Sequence, residues 1–546
     1  MKKFLLLLSL GLISQTPSFT QCNEDDITRV MLIGDSWANF MGIDNSINNA
    51  FEKWGHSNYK FFTNAILAEN GTETSDFLTP TKLNEIQNQF TLNPDIDFVH
   101  LSLGGNDVLN TWDINFTQAQ TDSLLDSVYA RLITLIDFIK TAKPGVRILW
   151  SGYAYPNFGE IIEELAPFQS THPFYATWQG MAFPTFTELN GILNDYSNTM
   201  LALAANDPQV DFIKATGLMQ YTFGQTTALS VPPGGTYAPF TVPLPEGLPD
   251  YPSPKNSMRN YILFRDCFHL SPQGYNDFID YHTQKFYQKA LMDDQYFLSD
   301  GGTRDGSVSS SGAVSPQIQM GKSGNDDVSA VLSFSTTSLP DTGIAKAALF
   351  LRRESLIGAN PVGSNLQLKI VSGNFSGSVD VEASDFTDPG NGTAVPCQFG
   401  SSANTGHWIR LEIPVPLLPF ITNDTITQFM ISAPGATGLI TFTGAADPDF
   451  APLLNVTYGP AQVSVPEIAH DDNSVLLFPN PANNVVNIGT SGLQILGVEL
   501  YDLTGRKTGD YPAWTHFIDL SGYPSGIFTV KVITWEGAVV KRVVKN

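Results

Sequence analysis

Val30-Met31-Leu32-Ile33-Gly34-Asp35-Ser36-Trp37 is the stretch that decides the fold. Four apolar residues run without a break into Gly-Asp-Ser. A continuous apolar run of this kind reads as a strand buried on both faces, as in a parallel sheet. Gly34 permits a sharp turn and a helical segment follows. Ser36 is then left at the carboxyl end of a strand, where open α/β sheets place their ligands. A serine in that position can also be a plain helix cap, so the reading rests on three further segments.

Phe98-Val99-His100-Leu101-Ser102-Leu103-Gly104-Gly105-Asn106-Asp107 is a second apolar run that ends in glycines and a short polar pair. Tyr59–Phe62 is strand-like and leads into Asn64-Ala65 and then Asn70-Gly71-Thr72. Asp266-Cys267-Phe268-His269-Leu270-Ser271-Pro272 puts a carboxylate three residues before a histidine. Ser271 is placed to cap a helix that Pro272 opens. Serine, glycine, asparagine and histidine thus follow in order, each where a strand ends or a helix begins.

This order resembles the SGNH (GDSL-type) hydrolases, whose blocks are Gly-Asp-Ser, a lone Gly, Gly-x-Asn-Asp and Asp-x-x-His. The resemblance runs from Thr28 to Met292. The Gly71 block departs from it, because a longer Leu67-Ala68-Glu69-Asn70-Gly71 stands where the family has a compact turn. The resemblance implies a serine nucleophile at Ser36, with His269 and Asp266 beside it. It also implies an oxyanion hole made of the Ser36 and Gly71 backbone N–H groups and the Asn106 side-chain amide, with no metal or organic cofactor. The residue types suit that chemistry. A serine hydroxyl needs a base within hydrogen-bond reach. A carboxylate behind the histidine holds its tautomer and stabilises the imidazolium, and amide donors stabilise the tetrahedral oxyanion.

Neighbouring polar residues read as structural. Asp35 is expected to bond turn amides and Asp107 to cap a helix or order a loop. His100 lies inside an apolar strand as a core histidine, and His282 has no acid nearby in sequence. Cys267 reads as a small buried thiol.

The 546 residues exceed one ordinary domain, and the formal net charge of −24 disfavours nucleic acid as a partner. Cysteines at 22, 267 and 397 make no metal spacing and no disulfide framework, and a pairing of Cys22 with either of the others stays open. Residues 1–20 read as a signal peptide: Lys2-Lys3, an apolar core over Phe4–Ile13, and small residues near Thr20. No later segment reads as a transmembrane anchor.

Arg29–Ile33, Tyr59–Phe62, Phe98–Leu103, Arg147–Trp150 and Val210–Ile213 read as five strands, with helical patterns over Asp122–Thr141 and Glu188–Ala205. The alternation implies a parallel sheet covered on both faces. The expectation for residues 27–293 is a flavodoxin-like three-layer α/β/α sandwich, also the fold of the resembled family. Two long stretches rich in aromatics, Pro156–Phe186 and Gly217–Asn260, are expected to form a cap lining the acyl or aryl pocket; the alternative is a cover over a sheet edge.

The Gly- and Ser-rich run Gly301–Gly312 reads as a boundary. Short strands then follow, such as Val331–Phe334, Ala347–Leu351 and Leu454–Tyr458, and 297–459 reads as a β-sandwich. Leu332-Ser333-Phe334 with Ile344–Leu349, and the closing Phe442–Val456, look like DNRLRE-type sandwich modules. Residues 460–473 read as a linker. The last module, 474–546, begins Val475-Leu476-Leu477-Phe478-Pro479-Asn480-Pro481 and alternates strands with tight turns, as a small Ig-like sandwich would. It resembles the C-terminal sorting domain of type IX secretion cargo. That implies recognition by the secretion machinery and export across the outer membrane of a Bacteroidetes-type bacterium, to the surface or the medium.

The expectation is a secreted serine esterase acting on a small ester or an esterified polysaccharide through an acyl-enzyme. The rivals are a carbohydrate deacetylase and a catalytically inactive glycan-binding protein or adhesin.

Overall fold

The computed structural model describes residues 25–459 and 475–546, apart from breaks at 225–236, 341–342, 364, 401, 424–425, 491–494, 504–505, 514 and 535–536. The signal peptide read at 1–20, Cys22 and the linker read at 460–473 lie outside the described residues. The chain divides into two compact units, one up to Tyr458 and one from Gly459.

The first unit begins with five strands: β1 (Ile27–Gly34), β2 (Tyr59–Phe62), β3 (Phe98–Ser102), β4 (Arg147–Ser151) and β5 (Val210–Ile213). They form one sheet in the order β2-β1-β3-β4-β5, and every neighbouring pair is parallel. This is a doubly wound order that reverses between β1 and β3, and the crevice at the strands' carboxyl ends opens there. Val30 to Ile33 are all 0% exposed, as a strand covered on both faces requires.

The helices that follow are α1 (Ser36–Ile43), α2 (Ser46–Lys53), α3 (Pro80–Leu92), α4 (Gly105–Thr111), α5 (Gln118–Ala142), α6 (Phe158–Glu163), α7 (Tyr175–Gly180), α8 (Phe186–Ala204) and α9 (Leu218–Phe223). α5 and α8 each start in a reciprocal capping box, Thr117 with Gln120 and Thr185 with Glu188. α5 buries Leu125, Val128, Leu132, Leu135, Ile136 and Ile139, the apolar stripe visible in its sequence. A short antiparallel hairpin, β6 (Met258–Asn260) and β7 (Arg265–Leu270), leads into α10 (Pro272–His282).

The two aromatic stretches divide their roles. From the first, Phe174 packs on Phe268 at 4.7 Å and on His269 at 6.4 Å. The second packs against α8 and α9: Asn190 donates to the Pro249 and Tyr251 carbonyls, and Gln220 to those of Leu248 and Tyr251. Residues 225–236 of this stretch lie outside the described residues.

The all-β region begins earlier than the Gly-Ser run suggests. Gln295–Leu298 is already a strand paired with Leu453–Tyr458. Gly301–Gly312, read as a boundary, lies within the sandwich: Gly306–Ser309 is a fully buried strand paired with Asp326–Ser335. At Gly306 there is no room for a side chain, since an added Cβ would lie 2.4 Å from the Ser315 carbonyl oxygen. The long strand Ile344–Ile357 pairs with Trp408–Glu412 and Leu453–Tyr458 along its first part and with Leu439–Phe442 along its last. It thereby joins the two sheets around a core that includes Leu332, Leu349, Ile409 and Phe429. Cys397 is disulfide-bonded, whereas Cys267 is a free, buried thiol.

The α/β layer and this sandwich share a core. Trp54 stacks on Trp408 at 5.4 Å, joined by Met292, Phe350 and Leu453. The Trp54 indole donates to Asp280 (2.7 Å), and Arg410 donates to Asn58 (3.0 Å). The second unit is a separate small sandwich of two antiparallel sheets, around Val486, Val498, Ile518, Val530 and Val543.

Trp408 is 0% exposed. Trp408→Ala is expected to cost roughly 3–5 kcal/mol and to lower the melting of the α/β layer and the sandwich together. Calorimetry checks this: a variant in which the α/β layer melts at the wild-type temperature contradicts the shared core.

Candidate active site

The site is built where β1 and β3 end. Gly34 lies against Ser102, and an added Cβ at Gly34 would fall 1.9 Å from the Ser102 carbonyl oxygen. The Asp35 N–H donates to that same carbonyl (3.0 Å). The chain then turns sharply, and Asp35 caps α1 by accepting from the Trp37 N–H (2.9 Å). Ser36 is the first residue of α1, so its own N–H belongs to the set that a helix leaves without an internal partner.

β7 brings the second half. The Ser36 hydroxyl donates to His269 Nε2 (2.7 Å), and His269 Nδ1–H donates to Asp266 Oδ2 (2.8 Å). Asp266 Oδ1 accepts the Phe268 and His269 N–H groups, both at 2.9 Å, which fixes the carboxylate beside its histidine. All three residues are buried. The imidazole lies among the rings of Phe268 (4.3 Å), Phe40 (4.8 Å) and Phe174. Arg259, paired with Asp44, sits over the Phe40 ring at 4.1 Å. Ser271 accepts from the Gly274 N–H and Pro272 opens α10, as the sequence reading expects.

β3 supplies the third part. Gly104 holds a positive φ of 115° and α4 begins at Gly105. Asn106 shares a cleft with Ser36, and its amide donates one hydrogen to the Thr72 carbonyl (2.9 Å). Asp107 orders the same loop, accepting from the Thr74 N–H (2.9 Å) and hydroxyl (2.7 Å). Gly71 stands apart: it is exposed, with φ 79°, and does not line the cleft. Ser36, Asp266, His269 and Asn106 are therefore brought together, and Gly71 lies on the adjoining loop.

The cleft beside Ser36 is walled by Trp37, Leu109, Tyr153, Leu189, Leu193 and Phe268. The cavity measures ≈ 40 Å³. The Asp35 carboxyl is raised to about 6, because burial pushes it up by more than the bonds from the Tyr153 hydroxyl and the Trp37 amide pull it down. Burial pushes the Cys267 thiol well up, consistent with an inert thiol. His100 is a core residue as expected, between Tyr287 OH and Ser151 Oγ at 3.0 Å each. His282 is buried, and its Nδ1 bonds to its own helix at the Phe278 carbonyl (2.7 Å). Tyr153 is a site residue that the sequence reading does not reach; its partners Asp35 and Gly105 are 118 and 48 positions away.

Residues 32–276 match the family described as GDSL-like lipase/acylhydrolase, and residues 476–546 match the secretion system C-terminal sorting domain. No curated protein matches the chain. Similar solved structures include a family 3 carbohydrate esterase of Clostridium thermocellum, with 17% identity, 48% of this chain and 98% of that one covered, and a TM-score of 0.27. A GDSL-like lipase of Bacteroides thetaiotaomicron has 14% identity, coverages of 48% and 89%, and a TM-score of 0.24. An acetyl xylan esterase has 18% identity, coverages of 48% and 100%, and a TM-score of 0.25. Among the described residues no helix is long and apolar enough to cross a membrane.

Gly34→Ala is expected to lower stability by about 3 kcal/mol or more, because backbone rather than a side-chain tip meets the new methyl. A Gly34→Ala chain that melts with wild type contradicts the close approach of β1 and β3.

Proposed function

From a chain that carries a GDSL-like lipase/acylhydrolase domain and, behind it, a secretion sorting domain, we propose an exported serine esterase that cleaves esters of short acyl groups. The observation that carries the reading is the continuous relay from Ser36 through His269 to Asp266, at 2.7 and 2.8 Å. His269 takes the Ser36 proton as the oxygen attacks the ester carbonyl, then gives it to the departing alcohol. Water follows the same path in reverse to release the acid. Asp266 holds the imidazole in the tautomer that accepts from serine and stabilises the imidazolium.

The oxyanion donors in this reading are the Ser36 N–H and the second amide hydrogen of Asn106, the first being held by Thr72. The Gly71 N–H, the third donor the resemblance implies, lies on the exposed adjoining loop and is not counted among them. Asn106→Ala is expected to lower kcat by about 10²–10³ with KM little changed. Lower thermal stability with unchanged turnover per folded molecule would instead make Asn106 scaffold.

The narrow cavity favours an acetyl or similar group. Its volume beside Ser36 is ≈ 40 Å³, a small space for an acyl chain. That observation also favours the second reading, removal of acetyl groups from a polysaccharide. A series of chromogenic esters of rising acyl length, run beside acetylated xylan, tests both. Turnover should be highest with acetyl and fall with longer chains, and Ser36→Ala should lose about 10⁴-fold or more. Rates that rise with acyl length, or an active Ser36→Ala enzyme, contradict the proposal.

A further inference from the structure

Tyr153 lies in the loop after β4 and is 7% exposed. Its hydroxyl donates to Asp35 Oδ2 (2.6 Å) and accepts from the Gly105 N–H (2.9 Å). The first partner precedes the nucleophile, and its other oxygen holds the N–H of Trp37 on the far side of Ser36. The second partner precedes Asn106. One oxygen atom therefore ties together the two turns that carry the reacting hydroxyl and the amide donor.

The ring is as constrained as its hydroxyl. It meets Trp37 edge-on at 5.2 Å and lies against the Gly105 backbone so closely that an added Cβ there would come within 2.8 Å of it. A tyrosine fits the two partners because a phenolic oxygen can donate once and still accept. Phenylalanine keeps the ring and deprives a buried carboxylate and a buried amide of their link.

Building on the serine-esterase reading, we propose that Tyr153 is a positioning residue that sets the spacing between the Ser36 nucleophile and the Asn106 donor. Its hydroxyl bonds to neither reacting group and acts through Asp35 and Gly105. A buried tyrosine that merely satisfies its own hydroxyl would bond to any convenient carbonyl. Tyr196 does that on the same turn, donating to the Leu103 carbonyl (2.7 Å) with no bond to Asp35. The two tyrosines thus separate general support of the turn from the link to the nucleophile.

The groups facing Asp35 are His269, which favours its ionised form, Asp107, which opposes it, and the buried phenols of Tyr153, Tyr196 and Tyr275. The Asp35 carboxyl stands at about 6, raised by burial, with the Tyr153 bond the largest force holding it down. Without that bond, Asp35 takes up its proton at higher pH and lets go of the turn.

Tyr153→Phe in the full chain is the test, with active sites counted by a fluorophosphonate that labels Ser36. The expected result is a fall in kcat per labelled site of roughly 10- to 100-fold, KM within about twofold of wild type, and an acid limb of kcat displaced to higher pH. Tyr196→Phe should leave that limb where wild type has it. Wild-type kcat per labelled site and an unmoved acid limb in Tyr153→Phe, whatever its melting temperature, overturn the proposal. So does an equal displacement in Tyr196→Phe, which would mean general loosening of the turn. Failure of the wild-type enzyme to label at Ser36 would instead overturn the serine-esterase reading itself.

Discussion

At the carboxyl ends of β1 and β3 two backbones meet with no room for a side chain between them. Gly34 rests on the Ser102 carbonyl, and the next residue's N–H donates to that carbonyl. This one approach sets the spacing of the site. It brings the turn that carries Ser36 alongside the turn that carries Asn106, at the point where the sheet order reverses. The third turn, at Gly34's other side, is joined to the same strand end: the Gly34 N–H donates to Leu67, and Glu69 donates back to the Gly34 carbonyl. β7 delivers His269 to that spot.

The carboxylates near the spot are divided by their partners. Asp266 is held by two backbone N–H groups and the imidazole. Asp35 is held by one N–H and one phenol in full burial, which costs more and raises its carboxyl. Asp107 is raised by burial as well, and Thr74 and Arg131 draw it back. Three acids with three environments give one carboxylate beside the histidine and two that order loops, so the acid nearest the serine in sequence is not its partner in the relay.

Much of this is legible in the chain because the signals are local. Apolar runs that end in Gly-Asp-Ser and Gly-Gly-Asn-Asp mark β1 and β3, and helical spacing marks α5 and α8. Asp266 and His269 are three residues apart, so their pairing needs no long-range knowledge. What escapes is held by distant partners. β6 is three residues long and exists only against β7. Gly306–Ser309 has the composition of a linker and becomes a strand because Asp326–Ser335 lies beside it. Tyr153 shows nothing local that sets it apart from other loop aromatics. The DNRLRE-type likeness of the sandwich remains a reading of its sequence, whereas the sandwich itself and its seam at Trp54 and Trp408 are structural findings.

The account stands on a covalent acyl group passing through Ser36, and trapping that intermediate tests it most directly. The enzyme would be mixed with an activated acetyl ester, quenched in acid during turnover, digested and mapped by mass spectrometry. The account predicts an acetyl adduct on the peptide that holds Gly34-Asp35-Ser36, absent from Ser36→Ala. An adduct on another residue, or steady turnover in Ser36→Ala, would contradict it.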